Sequence, residues 1–231
     1  MLAFEKAITD LIYCRLGSVK EALSVVREVH PDVLVVQGTD AGGHGLSQGA
    51  GLIALLPELC DAVAALHTEH ADPVIIGAGG IADARGAAAA VVLGAHGVVL
   101  GTKLLASYEA NIAKGYQNEV IRATDGGQTT VRTKVYDRLR GTTGWAESHN
   151  ARGIINRSYT DTLAGMDDEE NKRLYAEEGN KGDEGWGEQG RMTTYAGSAV
   201  GLVREVKGAE DIVREIREGT VELLGTAKAR L

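Results

Sequence analysis

Asp32-Val-Leu-Val-Val-Gln-Gly-Thr-Asp-Ala-Gly-Gly-His-Gly-Leu46 is the stretch from which the fold can be read. Val33 to Val36 form a short apolar run, the pattern of a strand covered on both faces in a parallel α/β sheet. Gly38, Gly42, Gly43 and Gly45 end the run in a glycine-rich loop that presents one imidazole, His44. Glycine admits positive φ and lets a ligand come close to the main chain. A titratable group at the carboxyl end of a parallel strand stands where α/β enzymes place their chemistry. A loop histidine with no task is the plain alternative, and the flanking sequence decides between them.

Upstream, Asp10–Arg15 reads as a strand. Ser18 then begins a helix as N-cap, with Glu21 completing a capping box. Downstream, Leu55–Glu69 carries a helical stripe of Leu55, Leu59, Val63 and Leu66. Pro73–Ile76 reads as a third strand running into Gly77-Ala78-Gly79-Gly80-Ile81, and Asp83–Leu93 as an alanine-rich helix. Gly97–Leu100 reads as a fourth strand ending at Gly101-Thr102, with a further helix from Lys103. Strands alternating with helices in this way imply βαβ units and a parallel sheet.

The later chain reads differently. Tyr116–Thr194 is polar and rich in glycine and charge, with one extended piece at Thr129–Tyr136. A helix is expected over Asp167–Glu178, its acidic run Asp167–Glu170 at the N-terminus, and a flexible loop over Gly179–Gly190. Ala199–Leu224 recovers an amphipathic pattern and predicts a closing helix pair. The expected organisation is four βα units over 1–115, a helical and loop excursion over 116–198, and C-terminal helices over 199–231 that pack back on the sheet.

Composition narrows the classes. The 231 residues are 44% hydrophobic and 24% charged, enough for one sizeable core. A net charge of −8 argues against a nucleic-acid partner. Cys14 and Cys60 lie in apolar segments and read as small hydrophobes in a reducing compartment. Neither a signal peptide nor an apolar span of transmembrane length is visible, so a soluble cytoplasmic protein with no membrane partner is expected.

The chemistry is carried by two glycine turns, each after an apolar strand. Amides of Gly79 and Gly80 would point at an anion, the helix starting near Asp83 would add its positive end, and the Thr102 hydroxyl beside Gly101 would donate to a phosphate oxygen. Two ordinary βα turns are the alternative.

The segments GTDAGGHG, VIIGAGGIADARG and GVVLGTKLL, with the tail Tyr195–Arg204, resemble the signatures of the nitronate monooxygenase family. The resemblance runs from about Leu11 to Leu224 and implies an FMN-dependent TIM barrel. It implies oxidation of nitronates with O2 to a carbonyl compound and nitrite, with the flavin carrying the redox work. His44 corresponds to the family's active-site histidine and Gly43 to the small residue before it, against the flavin. Ala78, Gly79 and Gly80 correspond to the first phosphate loop, Gly101 and Thr102 to the second, and Arg15 to a polar or basic FMN ligand. The implied role of His44 is to orient a nitronate and stabilise its charge, and to act as base toward a neutral nitroalkane. Against the family the sequence opens at the fifth strand. The expected fold is therefore α/β, a partial (β/α)8 barrel of the last four βα units with a mainly helical C-terminal excursion. Its two strand edges are open to self-association unless covered.

Other readings stay open: a phosphate-binding isomerase or lyase using the same loops, or a non-catalytic half-barrel. His67 and His70 have a spacing that metal ligands use but lack a third ligand, so a solvated helix end and no metal site are expected. His30 and His96 read as structural and His149 as able to face substrate. Trp145, Trp186, Tyr159 and Tyr195 read either as pocket walls or as anchors of the excursion.

Overall fold

The structure, a computed structural model, describes residues 11–66, 72–187 and 189–227. Its first half alternates strand and helix: β1 (Tyr13–Leu16), α1 (Val19–Val29), β2 (Val33–Gln37), β3 (Gly43–Leu46), α2 (Leu52–Ala64), β4 (Val74–Ala78), α3 (Ala84–Val92), β5 (Gly97–Val99) and α4 (Thr102–Leu105). Four of these strands form one parallel sheet in the order β1-β2-β4-β5, so the parallel α/β reading holds.

Local chemistry sets the boundaries. Ser18 caps α1 by accepting the Glu21 amide at 3.2 Å, and the Glu21 carboxylate reaches back to the Gly17 amide at 2.8 Å, one residue earlier than a standard capping box. His30 ends α1 in the left-handed region (φ 51°), just before Pro31. Helix α2 begins three residues earlier than its apolar stripe suggests, with Pro57 inside it. The part of the expected helix beyond Leu66, with His67 and His70, lies outside the described residues.

The sheet is not covered alike on its two faces. Leu34 and Val36 of β2 are fully buried among Leu16, Leu52, Leu56, Leu59 and Ile75, on the helix side. Val35 and Gln37, which alternate with them, are only half-buried and face a cavity. An apolar run alone could not show that one face opens on space rather than on packing.

The second half contains α5 (Lys114–Arg122), α6 (Gly126–Thr129), β6 (Thr130–Thr133), α7 (Val135–Arg140), β7 (His149–Ile154), α8 (Arg157–Leu163) and α9 (Asp168–Gly179), two 3-10 turns (Gly182–Gly185 and Ser198–Leu202), and α10 (Ala209–Ala227). Asp167 caps α9, and its acidic first turn lies where the helix dipole favours negative charge. Within Gly179–Gly190, expected as a flexible loop, residues 182–185 form a 3-10 turn whose Asp183 accepts the Gly115 amide at 2.8 Å. The expected C-terminal helix pair is instead one 3-10 turn and one long helix. Residues 203–208 separate them, and Ile212 and Ile216 seat α10 in the main core, with α10 against α3.

The excursion also contributes strands. β3, read from sequence as a glycine loop, pairs antiparallel with β7, and β7 with β6. A segment reading Gly-His-Gly-Leu has little strand propensity, so its extended form comes from pairing with distant residues.

Candidate active site

A cavity of about 390 Å³ opens on the inner face of the parallel sheet. Register explains its walls. Arg15 pairs with Val35, while Gln37 pairs with Ala78 and Ala78 with Val99, so each row of neighbours points to the same side. All seven residues expected to hold a cofactor line it: Arg15, Gly43, Ala78, Gly79, Gly80, Gly101 and Thr102. Tyr116 and Tyr195 close it from the excursion.

The first glycine turn is built for close approach. Gly79 and Gly80 sit at φ +92° and +74°, and a Cβ would meet the Gly38 carbonyl at 2.8 Å or the Asp40 Cβ at 2.9 Å. Among the described residues neither amide donates to a protein acceptor, so both are available to an anion in the cavity. The Thr102 hydroxyl accepts the Gly197 amide at 2.9 Å, which leaves its own proton free to donate. The helix after the first turn behaves otherwise than expected. Asp83 accepts the amides of Arg85 and Gly86 and receives the Arg85 guanidinium at 2.8 Å, so the N-terminus of α3 is already capped by an anion of the chain itself. The anion-binding capacity here rests on the glycine turns and Thr102.

Arg15 reaches the cavity with one hydrogen bond, from Nη1 to the Gln37 Oε1 at 3.2 Å. His44 is not itself part of the cavity lining. It follows Gly43, which is, and its ring meets the edge of Tyr195 at 5.4 Å between centroids. Its Nε2 lies 2.8 Å from Asp137 Oδ1, and its face stacks on Trp145. Burial pushes the Tyr195 phenol up to about 12, with Arg140 opposing and Asp137 assisting, so the hydroxyl stays protonated. Tyr116 is likewise pushed to about 12 by burial, and its hydroxyl donates to the Tyr195 carbonyl at 2.8 Å.

Sequence reasoning missed Asp137, Arg132 and Arg152. Asp137 lies in the six-residue α7, where nothing local marks an acid as buried. Arg132 and Arg152 are paired across β6 and β7, and both donate to the Thr39 carbonyl, Arg132 also to the Ala41 carbonyl at 3.0 Å. They hold the loop that leads into Gly43-His44. His149 lines a separate cavity of about 70 Å³ with Arg132, and not the main one. His96 is structural, its Nδ1 accepting the Ile75 amide at 3.2 Å. Trp145 and Tyr195 stand against His44, whereas Trp186 packs against Gly115, away from the cavity. Among the described residues no cluster of His, Cys, Asp or Glu is placed to hold a metal ion, and no helix is long and apolar enough to cross a membrane.

Fold and site together define an α/β protein with a cavity suited to an anion at the carboxyl ends of parallel strands and a half-buried histidine paired with a buried carboxylate beside it. The sequence model of the nitronate monooxygenase family matches residues 2–219, and the chain belongs to that family. It is 49% identical over 222 residues to nitronate monooxygenase npaC of Metarhizium robertsii, covering 95% of this chain and 61% of that protein. It is 36% identical over 219 residues to the nitronate monooxygenase of Neurospora crassa, covering 95% of this chain and 56% of that one. The chain thus spans about three-fifths of the length of these relatives. In fold it is similar to FabK from Thermotoga maritima (TM-score 0.72, 23% identity, 95% of this chain and 63% of that one). A nitroalkane oxidase from Streptomyces ansochromogenes is similar to the same degree (TM-score 0.71, 23% identity, 94% and 59%).

Proposed function

We propose that the chain forms the phosphate-binding part of an FMN-dependent (β/α)8 barrel that oxidises nitronates with O2 to a carbonyl compound and nitrite. The observation that carries this reading is the convergence of Arg15, Gly43, Ala78, Gly79, Gly80, Gly101 and Thr102 on one cavity. Its volume is in the range of cofactor sites, about 300–1,000 Å³. The residues fit FMN: two amides without a protein acceptor among the described residues, at a turn without side chains, and a hydroxyl free to donate suit a phosphate, and half-buried Val35 and Tyr195 with buried Ala78 between the strands suit a ring system.

Bound there, the flavin would supply the electron-accepting chemistry and the link to O2. The chain's own residues do the remainder. Gly79, Gly80 and Thr102 anchor the phosphate. Tyr116 and Tyr195 wall the site, and their raised pKa values keep both phenols neutral there. His44 orients the nitronate and offsets its negative charge, and takes a proton from a neutral nitroalkane. Family membership favours this reading over an isomerase or lyase using the same loops. Tyr13, exposed on the edge strand β1, favours self-association, and a cytoplasmic setting belongs to the same proposal.

The test is purification followed by visible absorbance and oxygen uptake with propionate nitronate. A yellow protein that consumes O2 and releases nitrite is expected. A colourless protein that takes up no added FMN would overturn the reading.

A further inference from the structure

We propose that Asp137 is a positioning residue for His44: its carboxylate holds the imidazole with a proton on Nε2 and leaves Nδ1 as the nitrogen that meets substrate. The proposal rests on the assignment of His44 to nitronate chemistry.

The hydrogen-bond inventory around Asp137 carries it. Oδ1 receives three groups: His44 Nε2 at 2.8 Å, the Thr142 hydroxyl at 3.1 Å and the Tyr195 hydroxyl at 3.3 Å. The carboxylate side chain is 6% exposed, and no Lys or Arg ion-pairs with it among the described residues. An ionised carboxylate only accepts hydrogen bonds, so the ring nitrogen facing it must carry hydrogen. Arg140 lies instead over the Tyr195 ring, its guanidinium 5.4 Å from the centroid.

The ring cannot easily turn away. Trp145 lies parallel to one face at 3.8 Å, and Tyr195 stands edge-on at 5.4 Å. His44 comes from β3 and Asp137 from α7, so the pair also ties the antiparallel sheet to the helix behind it. Nδ1 has no protein partner among the described residues. Neutral His44 therefore offers a lone pair there. When it takes the α-proton of a nitroalkane, the C–H bond breaks, an Nδ1–H bond forms, and the bonding pair passes into the nitro group as nitronate. The resulting imidazolium donates from Nδ1 to a nitronate oxygen, its charge offset by Asp137.

Two measurements test this. Nitrogen-15 NMR of the His44 ring reads the proton directly: Nε2 protonated is expected, and a bare Nε2 beside a protonated Nδ1 would overturn the proposal. Kinetics read the coupling. Asp137→Asn should lower kcat for a neutral nitroalkane roughly 100-fold or more with KM little changed, as loss of a histidine's carboxylate partner does elsewhere. FMN binding should be unaltered and the protein folded by thermal unfolding. In a His44→Asn background the same substitution should add less than about 3-fold, because the two side chains act as one unit. Independent, multiplying effects would overturn the proposal. A wild-type protein without turnover would sink the functional reading instead, and the ring proton would still decide the pairing.

Discussion

The imidazole of His44 and the indole of Trp145 lie face to face, with ring centroids 3.8 Å apart and planes 9° from parallel. Trp145 sits in an exposed stretch, residues 141–148, and is itself 44% exposed, with its ring also facing His149 at 6.4 Å between centroids. Such a contact contributes about 0.5–1.5 kcal/mol. Trp145→Ala should therefore leave the unfolding midpoint nearly unchanged and lower kcat/KM by about 2- to 12-fold, the same energy expressed as a rate. Parallel melting and steady-state kinetics check it. A large fall in the midpoint would show that the indole is part of the core.

The two glycine turns predict opposite phenotypes. Gly79 needs positive φ and has the Gly38 carbonyl where a Cβ would stand, so Gly79→Ala should destabilise the fold by about 1–3 kcal/mol. Gly101 has φ −103° and open space around a built Cβ. Gly101→Ala should melt like the parent and bind FMN more weakly. Denaturant titration beside FMN titration separates the two.

Arg132 and Arg152 form a clamp on one carbonyl, that of Thr39. Burial, with the neighbouring Arg152 charge adding and Asp40 opposing, brings Arg132 down to about 10, so it still carries its charge at neutral pH. Replacing either arginine by Met should cost about 1–3 kcal/mol. The double variant should cost less than the sum, because the two share an acceptor. Turnover should fall more than FMN affinity, because the clamped loop leads into His44.

The legible part of the fold was the part set by local periodicity. Ser18 and Glu21 announced α1, Asp83 the start of α3, and the apolar runs the four parallel strands. The glycine turns were readable because a missing side chain is itself a local signal. The antiparallel sheet was not. Gly43–Leu46 has no strand pattern, and its partner His149–Ile154 lies a hundred residues on. Asp137 was hidden for the same reason: His44 of β3 and Tyr195, which close over its carboxylate, are both far from it in sequence. The start of α3 near Asp83 was legible, but that the Asp83 carboxylate caps the helix and leaves its end unavailable to a phosphate emerges only from the geometry.

Asp83 also gives a pH signature. Burial raises its pKa, but hydrogen bonds from Arg85 and Gly86 and the Arg85 charge outweigh this and hold it below its ordinary 3.8. A carboxyl depressed on folding stabilises above its unfolded value and loses that contribution as pH falls through the folded one. Asp83→Ala should therefore cost about 1 kcal/mol at pH 7 and progressively less below pH ~4, measured by denaturant unfolding across that range.

The central claim is that the cavity holds a flavin by its phosphate. The most direct measurement compares the affinities of FMN and riboflavin for the purified protein by flavin fluorescence quenching, with Gly101→Ala alongside. The account predicts that FMN binds at least about tenfold more tightly than riboflavin, equivalent to about 1.4 kcal/mol from the phosphate, and that Gly101→Ala narrows the gap. Equal affinities for the two flavins, unchanged in the variant, would contradict it.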